Sequence, residues 1–344
     1  PNTTPQNWKW FSLLNEMRSC AVEVVISEVS SHAIEEERIE KTEFDIAVFT
    51  NLTMDHLDFH KNLENYFNAK KKLFTKHLKP GGTAVINIDD GYGARLFREL
   101  PDNINKLAIS TKDESAFFFI NVKRTGLDGS DVEFRYGNEK RDVHIPLAGL
   151  FNVYNTASAF ACAALIADAQ YCFENVSGGI IVPGRLEKVK GYPVYIDYAH
   201  TPDALENVLR TLTGLGMEGR IITVFGAGGD RDRGKRPVMG GVATRLSDIV
   251  ILTDDNPRTE DPETIISEIL EGCNPADSVI EVIHDRRTAI RRAMDLRKDS
   301  DIVLIAGKGA ENYQITLKGK RFFSDKEEVE NYLEELQHVH NTSG

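Results

Sequence analysis

The chain has 344 residues, 41% of them hydrophobic and 27% charged, a balance ordinary for a globular protein of two domains. Its formal net charge of −12 excludes a general nucleic-acid binder, which needs a basic face to replace phosphate counterions, but leaves room for a local basic pocket that takes a small anion. No apolar run approaches the roughly 18 residues needed to span a bilayer. The opening Pro-Asn-Thr-Thr-Pro lacks the basic start and apolar core of a signal peptide. Cys20, Cys162, Cys172 and Cys273 form no C-x-x-C pair and read as isolated buried thiols of a protein in a reducing cytoplasm.

In chain order, Val22–Val29 and Asp45–Leu52 are rich in Val and Ile and predict buried strands. Leu63–Lys79 predicts an amphipathic helix and Thr83–Ile88 a strand. From Ser115 to Leu147 the pattern is all-β, with a hairpin of Asp131–Tyr136 and Arg141–Ile145 turning at Gly137-Asn138. Asn152–Ala167 is an alanine-rich helix. After Pro183 a second series begins. Strands are expected at Val194–Ile196, Ile221–Phe225, Ile249–Thr253, Val279–Ile283 and Ile302–Ala306. Helices fit between them at Asp203–Leu215, Lys235–Leu246, Pro262–Glu271 and Arg286–Leu296. Strict alternation predicts a parallel, doubly wound sheet, whose ligands sit at the carboxyl ends of the strands. The polar runs Gly226–Arg236, Asp254–Arg258 and Gly307–Glu311 fall there. The domain boundary is placed at Pro183-Gly184, giving domains 1–182 and 183–344.

Within Leu63–Lys79, Lys70 lies three and four residues from Tyr66, Phe67, Leu73 and Phe74, so it falls on the apolar face. A lysine turned inward has a depressed pKa, and a neutral amine can add carbon dioxide to become a carbamate. The alternative is a lysine whose stem is buried and whose head reaches water. Glu28, expected at the end of one strand, and His56, after the next, could share a divalent metal, oxygen ligands favouring magnesium. His56 and His60 are four apart, but without an H-E-x-x-H phrase they do not point to zinc. Gly226-Ala227-Gly228-Gly229 follows a strand as a dinucleotide loop would. Arg231 stands where the third glycine of that loop belongs, which argues against a nicotinamide site.

Ten phrases then occur in one order: Asn2-Thr3-Thr4-Pro5, Glu28 to His32, Asn51 to Asp58, Ala69-Lys70-x-x-Leu73-Phe74, Gly149-x-x-Asn152-x-x-Asn155, Pro183-Gly184-Arg185-Leu186-Glu187, Asp197 to Pro202, Gly229-Asp230-Arg231, Asp255-Asn256-Pro257-Arg258 and Gly307-Lys308-Gly309-x-Glu311. In this order and over nearly the whole chain they resemble the Mur ligase family, and within it the UDP-muramoyl-tripeptide synthetases. The resemblance implies an α/β fold: a central ATPase-type domain, with a mixed sheet and a small β subregion, followed by a Rossmann-like doubly wound domain. It implies ATP-dependent addition of meso-diaminopimelate to UDP-N-acetylmuramoyl-L-alanyl-D-glutamate in peptidoglycan synthesis, with ATP as cosubstrate and Mg2+ as metal. By position, Asn2, Thr3, Thr4, Ser30 and Arg38 resemble contacts to the muramoyl-dipeptide, with Glu36 standing where some relatives carry glutamine. Glu28, His56 and a carbamate of Lys70 resemble the metal framework and the catalytic set. Asn152, Asn155, Arg185 and Asp197 resemble the nucleotide contacts. Arg231, Asp255, Asn256, Arg258, Gly307 and Glu311 resemble the diaminopimelate pocket.

The family's Gly-rich phosphate loop ending in Gly-Lys-Thr does not occur in these 344 residues. The chain is therefore expected to be a fragment of a longer ligase, without ATP turnover on its own. Three alternatives stand beside this reading: a ligase that adds L-lysine, a folylpolyglutamate-type amide ligase, and a non-catalytic module that binds muropeptide. The Asp-Asn-Pro-Arg phrase argues against the folylpolyglutamate type, because it suits an amino acid with a distal carboxylate. Retention of Glu28, His56 and Lys70 argues against the non-catalytic module.

Overall fold

The computed structural model describes residues 3–178, 182–189, 191–214 and 219–342, the side chains as far as residue 338. Leu215, the expected end of one helix, lies outside them. Contacts divide the chain into two compact units. One comprises residues 1–123, 132–143 and 154–176, the other 124–131, 144–153 and 177–344. No helix among the described residues is long and apolar enough to cross a membrane.

The first series runs α1 (Asn7–Ser19), α2 (Ser31–Glu35), β1 (Phe44–Phe49), α3 (Leu57–His60), α4 (Leu63–Thr75), β2 (Leu78–Asn87), α5 (Gly91–Glu99), β3 (Asn105–Ser110), β4 (Phe118–Gly126), β5 (Gly129–Tyr136), β6 (Glu139–Ile145), α6 (Leu150–Ala164) and α7 (Ala169–Asn175). Its sheet has the order β1-β2-β3-β4-β5-β6. The first four strands pair in parallel. The last three are joined by two-residue turns, one of them the expected Gly137-Asn138 with Gly137 at φ +57. Ala47, Phe49, Phe67, Phe74, Ala84, Ile86 and Leu96 form the core between β1, β2, α4 and α5.

Two expectations fail here. Val22–Val29 is not a buried strand: it joins no sheet among the described residues, and Val22, Val24, Val25 and Ile26 are 46, 52, 46 and 93% exposed. β-branched residues favour a strand only where neighbouring backbone and a packed face receive them, and this segment has neither. The helix expected to reach Lys79 stops at Thr75. His77, buried, is drawn out of it: its carbonyl accepts Phe44 N–H at 2.7 Å, and its ring lies 3.1 Å from the Thr42 carbonyl. β2 then starts at Leu78, and Pro80-Gly81-Gly82 forms a bulge against β1, between the Phe44–Leu78 and Ile46–Thr83 pairs.

The second series is β7 (Glu187–Lys188), β8 (Val194–Asp197), α8 (Pro202–Thr213), β9 (Ile221–Phe225), α9 (Lys235–Leu246), β10 (Ile249–Leu252), α10 (Pro262–Leu270), β11 (Val279–Val282), α11 (Arg286–Leu296), β12 (Ile302–Ala306), β13 (Tyr313–Thr316), β14 (Gly319–Phe322) and α12 (Asp325–Thr342). The sheet order is β11-β10-β9-β12-β8-β7, parallel except for β7. This is the doubly wound sheet the alternation predicts. Its central strands are buried on both faces, between one apolar cluster that includes Leu205, Leu209, Met239 and Ile265 and another that includes Ala289, Ile290, Ala293 and Val329. From β9 the chain steps outward through β10 and β11, then returns to place β12 between β9 and β8. That reversal opens a crevice at the carboxyl ends of β9 and β12.

Candidate active site

In the first unit Ser30 caps α2, its hydroxyl accepting Ala33 N–H at 3.2 Å. Thr4 is fully buried; its hydroxyl donates to the Glu28 carbonyl at 2.9 Å and accepts Ser30 N–H at 3.1 Å. Arg38, also buried, donates to the Thr4 carbonyl at 3.0 Å and to Glu36 Oε2 at 2.8 Å. The fold thus gathers Thr4, Ser30, Arg38 and the Glu28 backbone. Thr3 is exposed, and Asn2 lies outside the described residues.

Lys70 sits on the inner side of α4, a helix capped by Asn62. Its ammonium is 5.1 Å from the centroid of the Tyr66 ring. Burial lowers its pKa, while the Glu28 and Asp55 carboxylates oppose the shift. Glu28 is exposed on the extended segment, so it ends no strand. His56 opens α3 in the left-handed region at φ +58; its Nε2 is 3.5 Å from Asp55 Oδ2 and its ring meets His32 edge-on at 4.9 Å. Asp55 is the residue that sequence reasoning passed over here, although it stands beside His56 in the Asn51–Asp58 phrase. His60 is buried, with Nε2 at 2.8 Å from Ser31 Oγ and its ring stacked on Tyr66. Burial brings its pKa down to about 4, so it is neutral. Among the described residues no three His, Cys, Asp or Glu side chains converge on a point where they alone hold a metal.

Of the four expected nucleotide contacts, Asn152 is buried and donates to the Ala148 carbonyl at 2.8 Å, while Asn155, one turn later on α6, is exposed. Arg185 and Asp197 come together. Asp197 ends β8, and its two oxygens accept Leu186 N–H at 2.6 Å and Ala199 N–H at 2.7 Å. Burial pushes its pKa up to about 6, against the pull of those bonds and of Arg185. Arg185 is exposed, its guanidinium 4.8 Å from the Tyr198 ring centroid.

The crevice of the second sheet collects the remaining set. Asp255 and Asn256 are buried beyond the end of β10. Asn256 donates to Glu311 Oε2 at 3.1 Å and accepts Ile315 N–H at 2.8 Å. Ile315, on β13, returns its carbonyl to Arg258 N–H at 3.1 Å, so β13 clamps the Asn256–Arg258 turn from both sides. That clamp holds Arg258 at φ +55, a conformation unfavourable for a side chain of its size. The Arg258 guanidinium donates to the Gly229 carbonyl at 2.6 Å. It packs with Arg231 against Gly228, where a Cβ would stand 2.8 Å from Arg258 Nη1 and 3.8 Å from Arg231 Cγ. Burial and the nearby Arg231 lower the Arg258 pKa. Gly307, at φ +113, has no room for a side chain: a Cβ would stand 2.7 Å from Asp255 Oδ2. Arg258 also lines a cavity of about 340 Å³ between the loop that includes Asp254 and Pro262 and the β13–β14 hairpin.

Two family models match, the Mur ligase middle domain over residues 1–163 and the glutamate ligase domain of Mur ligases over residues 184–309. A UDP-N-acetylmuramoyl-L-alanyl-D-glutamate–2,6-diaminopimelate ligase of Clostridium tetani is 40% identical over 343 residues, covering 97% of this chain and 68% of the relative. The chain belongs to the Mur ligase family. An enzyme of the same name from Fusobacterium nucleatum is 43% identical over 331 residues, covering 95% and 67%. A solved structure with that name superposes with a TM-score of 0.56 at 38% identity, covering 90% of this chain and 64% of its own. The chain thus spans about two thirds of the length of these Mur ligases. The mixed sheet with its β hairpins, followed by a doubly wound sheet, is the Mur ligase arrangement expected from the sequence.

Proposed function

We propose that this chain carries residues of an ATP-dependent ligase that joins meso-diaminopimelate to UDP-N-acetylmuramoyl-L-alanyl-D-glutamate in peptidoglycan synthesis. One observation supports the amino-acid choice above the others. At the crevice, the Arg231 side chain approaches Arg258 across Gly228, and the charges of Arg231, Asp255 and Glu311 all bear on the Arg258 guanidinium. Paired cations and paired anions suit a carbon that carries both a carboxylate and an ammonium. The distal carbon of diaminopimelate does; that of lysine carries only the ammonium. The proposal divides the protein into a central domain, 1–182, and a C-terminal domain, 183–344.

The reaction has two steps. The D-glutamate γ-carboxylate attacks the γ-phosphoryl of ATP, giving an acyl phosphate and ADP, because a carboxylate oxygen is otherwise a poor leaving group. The diaminopimelate amine then attacks the acyl carbon, and phosphate leaves. Thr4, Ser30 and Arg38 hold the dipeptide arm, with Asn2 and Thr3 beside them in sequence. Asn152, Asn155, Arg185 and Asp197 hold the nucleotide. Arg258 and Arg231 orient the amino acid through bidentate bonds to carboxylate, Asn256 fixes the turn, and Gly307 leaves room for Asp255. Glu28, His56 and a carbamate on Lys70 would hold magnesium, which when bound offsets the repulsion between carboxylate and phosphate. The fit rests on the donor chemistry: burial lowers the Lys70 pKa although the Glu28 and Asp55 carboxylates oppose it, so carbamylation would turn a desolvated amine into an oxygen ligand beside them.

The test is product formation by the full natural chain supplied with the muramoyl-dipeptide nucleotide, ATP, Mg2+ and meso-diaminopimelate. The expected result is one tripeptide product and one phosphate per ATP consumed. ATP hydrolysis without a new amide, or no turnover at all, would overturn the proposal.

A further inference from the structure

In the Gly-Lys-Gly-x-Glu phrase, Gly307 makes room for Asp255 and Glu311 faces the crevice. Gly309, at φ +52, passes too close to Tyr198 and Gly184 for any side chain. Lys308 is left without a role, yet it is among the largest wholly buried side chains of the protein. Its ammonium makes no hydrogen bond among the described residues. It lies 3.5 Å from Glu311 Oε2, 3.9 Å from Asp255 Oδ1 and 5.6 Å from the Tyr313 ring centroid. A buried ammonium is costly unless its surroundings compensate it. A hydrophobic side chain of the same length would fill the space without that cost.

The neighbours suggest what the charge is for. Glu311 is held by neutral donors on both oxygens: Asn256 on Oε2 at 3.1 Å and Tyr313 hydroxyl on Oε1 at 3.0 Å. Asp255 leans into the space opened by Gly307. Arg286, which also bears on both carboxylates, is engaged chiefly by Asp325, through contacts of 2.7 and 2.8 Å, and by the Ala306 carbonyl at 3.0 Å. Two carboxylates sharing a dry site repel each other. A cation between them offsets that repulsion, holds both in place and leaves the trio with one net negative charge, the complement of one incoming ammonium.

We infer that Lys308 is a positioning residue for the amino-acid substrate, its sealed ammonium holding Asp255 and Glu311 as a pair of acceptors for the substrate's distal ammonium. Lys308 Nζ has no access to a ligand, so it acts only through those carboxylates. The inference rests on the amino-acid site proposed above.

The test compares Lys308→Met and Lys308→Arg with the unaltered full chain. KM for meso-diaminopimelate, KM for ATP, kcat and thermal unfolding are measured for each. In Lys308→Met the KM for diaminopimelate rises at least about tenfold, whereas KM for ATP stays within about twofold. Lys308→Arg, which keeps the charge but displaces it, raises that KM only about threefold. A folded Lys308→Met with an unchanged KM for diaminopimelate, whatever its melting temperature, shows a merely structural lysine and overturns the inference. If Lys308→Met does not fold, Lys308→Arg decides: an unchanged KM overturns the inference, and a selective rise supports it. Failure of the unaltered enzyme to use diaminopimelate would instead sink the site assignment, and the inference with it.

Discussion

Removing the Asp325 carboxylate is expected to be among the most damaging single changes in the second unit. Arg286 and Asp325 are both wholly buried. They meet through two charge-assisted bonds of 2.7 and 2.8 Å, and Arg286 also donates to the Ala306 carbonyl at 3.0 Å. Asp325→Ala leaves a guanidinium in a dry interior with that carbonyl and the weaker pull of the Asp255 and Glu311 carboxylates in place of its paired anion. Breaking a buried pair from one side costs about 3–5 kcal/mol. For a domain of this size about 2–4 °C is lost per kcal/mol, so melting should fall by about 6–20 °C. The double variant Arg286→Met/Asp325→Leu removes both charges and should recover most of that loss, because it restores an apolar contact without a stranded ion. Urea titration and thermal melting of the three proteins measure these losses. A loss under about 1 kcal/mol in Asp325→Ala would refute the reasoning, as would a double variant no more stable than the single one. Since Ala306 directly precedes Gly307, the single variant should also raise KM for the amino acid.

Lys70→Ala should lower turnover by about a hundredfold or more, the usual scale for losing a group that stabilises transition-state charge. Added short carboxylic acids should restore part of it. Carbon-13 bicarbonate should give a carbamate resonance in the unaltered enzyme and none in Lys70→Ala; near-normal activity without rescue would remove the role. Asp197 predicts a pH effect with a definite sign. Its folded pKa of about 6 lies above the ordinary carboxylate value near 4, so between those values the native state holds the proton that the unfolded chain has released. Stability therefore falls as pH rises through that window, by about 3 kcal/mol in total. Asp197→Asn should lack this component, and an unaltered slope in the variant would contradict it.

The alternating strands and helices of the second unit, Val194 to Ala306, were legible almost to the residue, whereas β7, the β13–β14 hairpin and α12 were not anticipated. β9, α9, α11 and β12 begin and end where periodicity placed them, because central parallel strands are continuous apolar runs and the helices between them carry clear stripes. The sites followed from topology, since the Gly226, Asp254 and Gly307 runs all lie past strand ends. In the first unit the same apolar signal misled at Val22–Val29, because composition reports a strand's appetite for partners and not their presence. The end of α4 was lost to His77, whose capture by Thr42 and Phe44 is a long-range event with no local signature. Lys70 could be placed on the inner face from spacing alone. Lys308 could not, since only the folded crevice seals its ammonium between two carboxylates from separate loops.

The central claim is that Arg258 and its neighbours select an amino acid with a distal carboxylate. Its most direct test is kcat/KM for meso-diaminopimelate against L-lysine, in the full natural chain and in Arg258→Ala. Leaving the Arg258 guanidinium without its acceptor costs roughly 1–3 kcal/mol or more. The unaltered enzyme should thus favour diaminopimelate by at least about tenfold to a hundredfold, and Arg258→Ala should lose most of that preference. Equal efficiency with both amino acids, or an Arg258→Ala enzyme that still prefers diaminopimelate, would contradict the account.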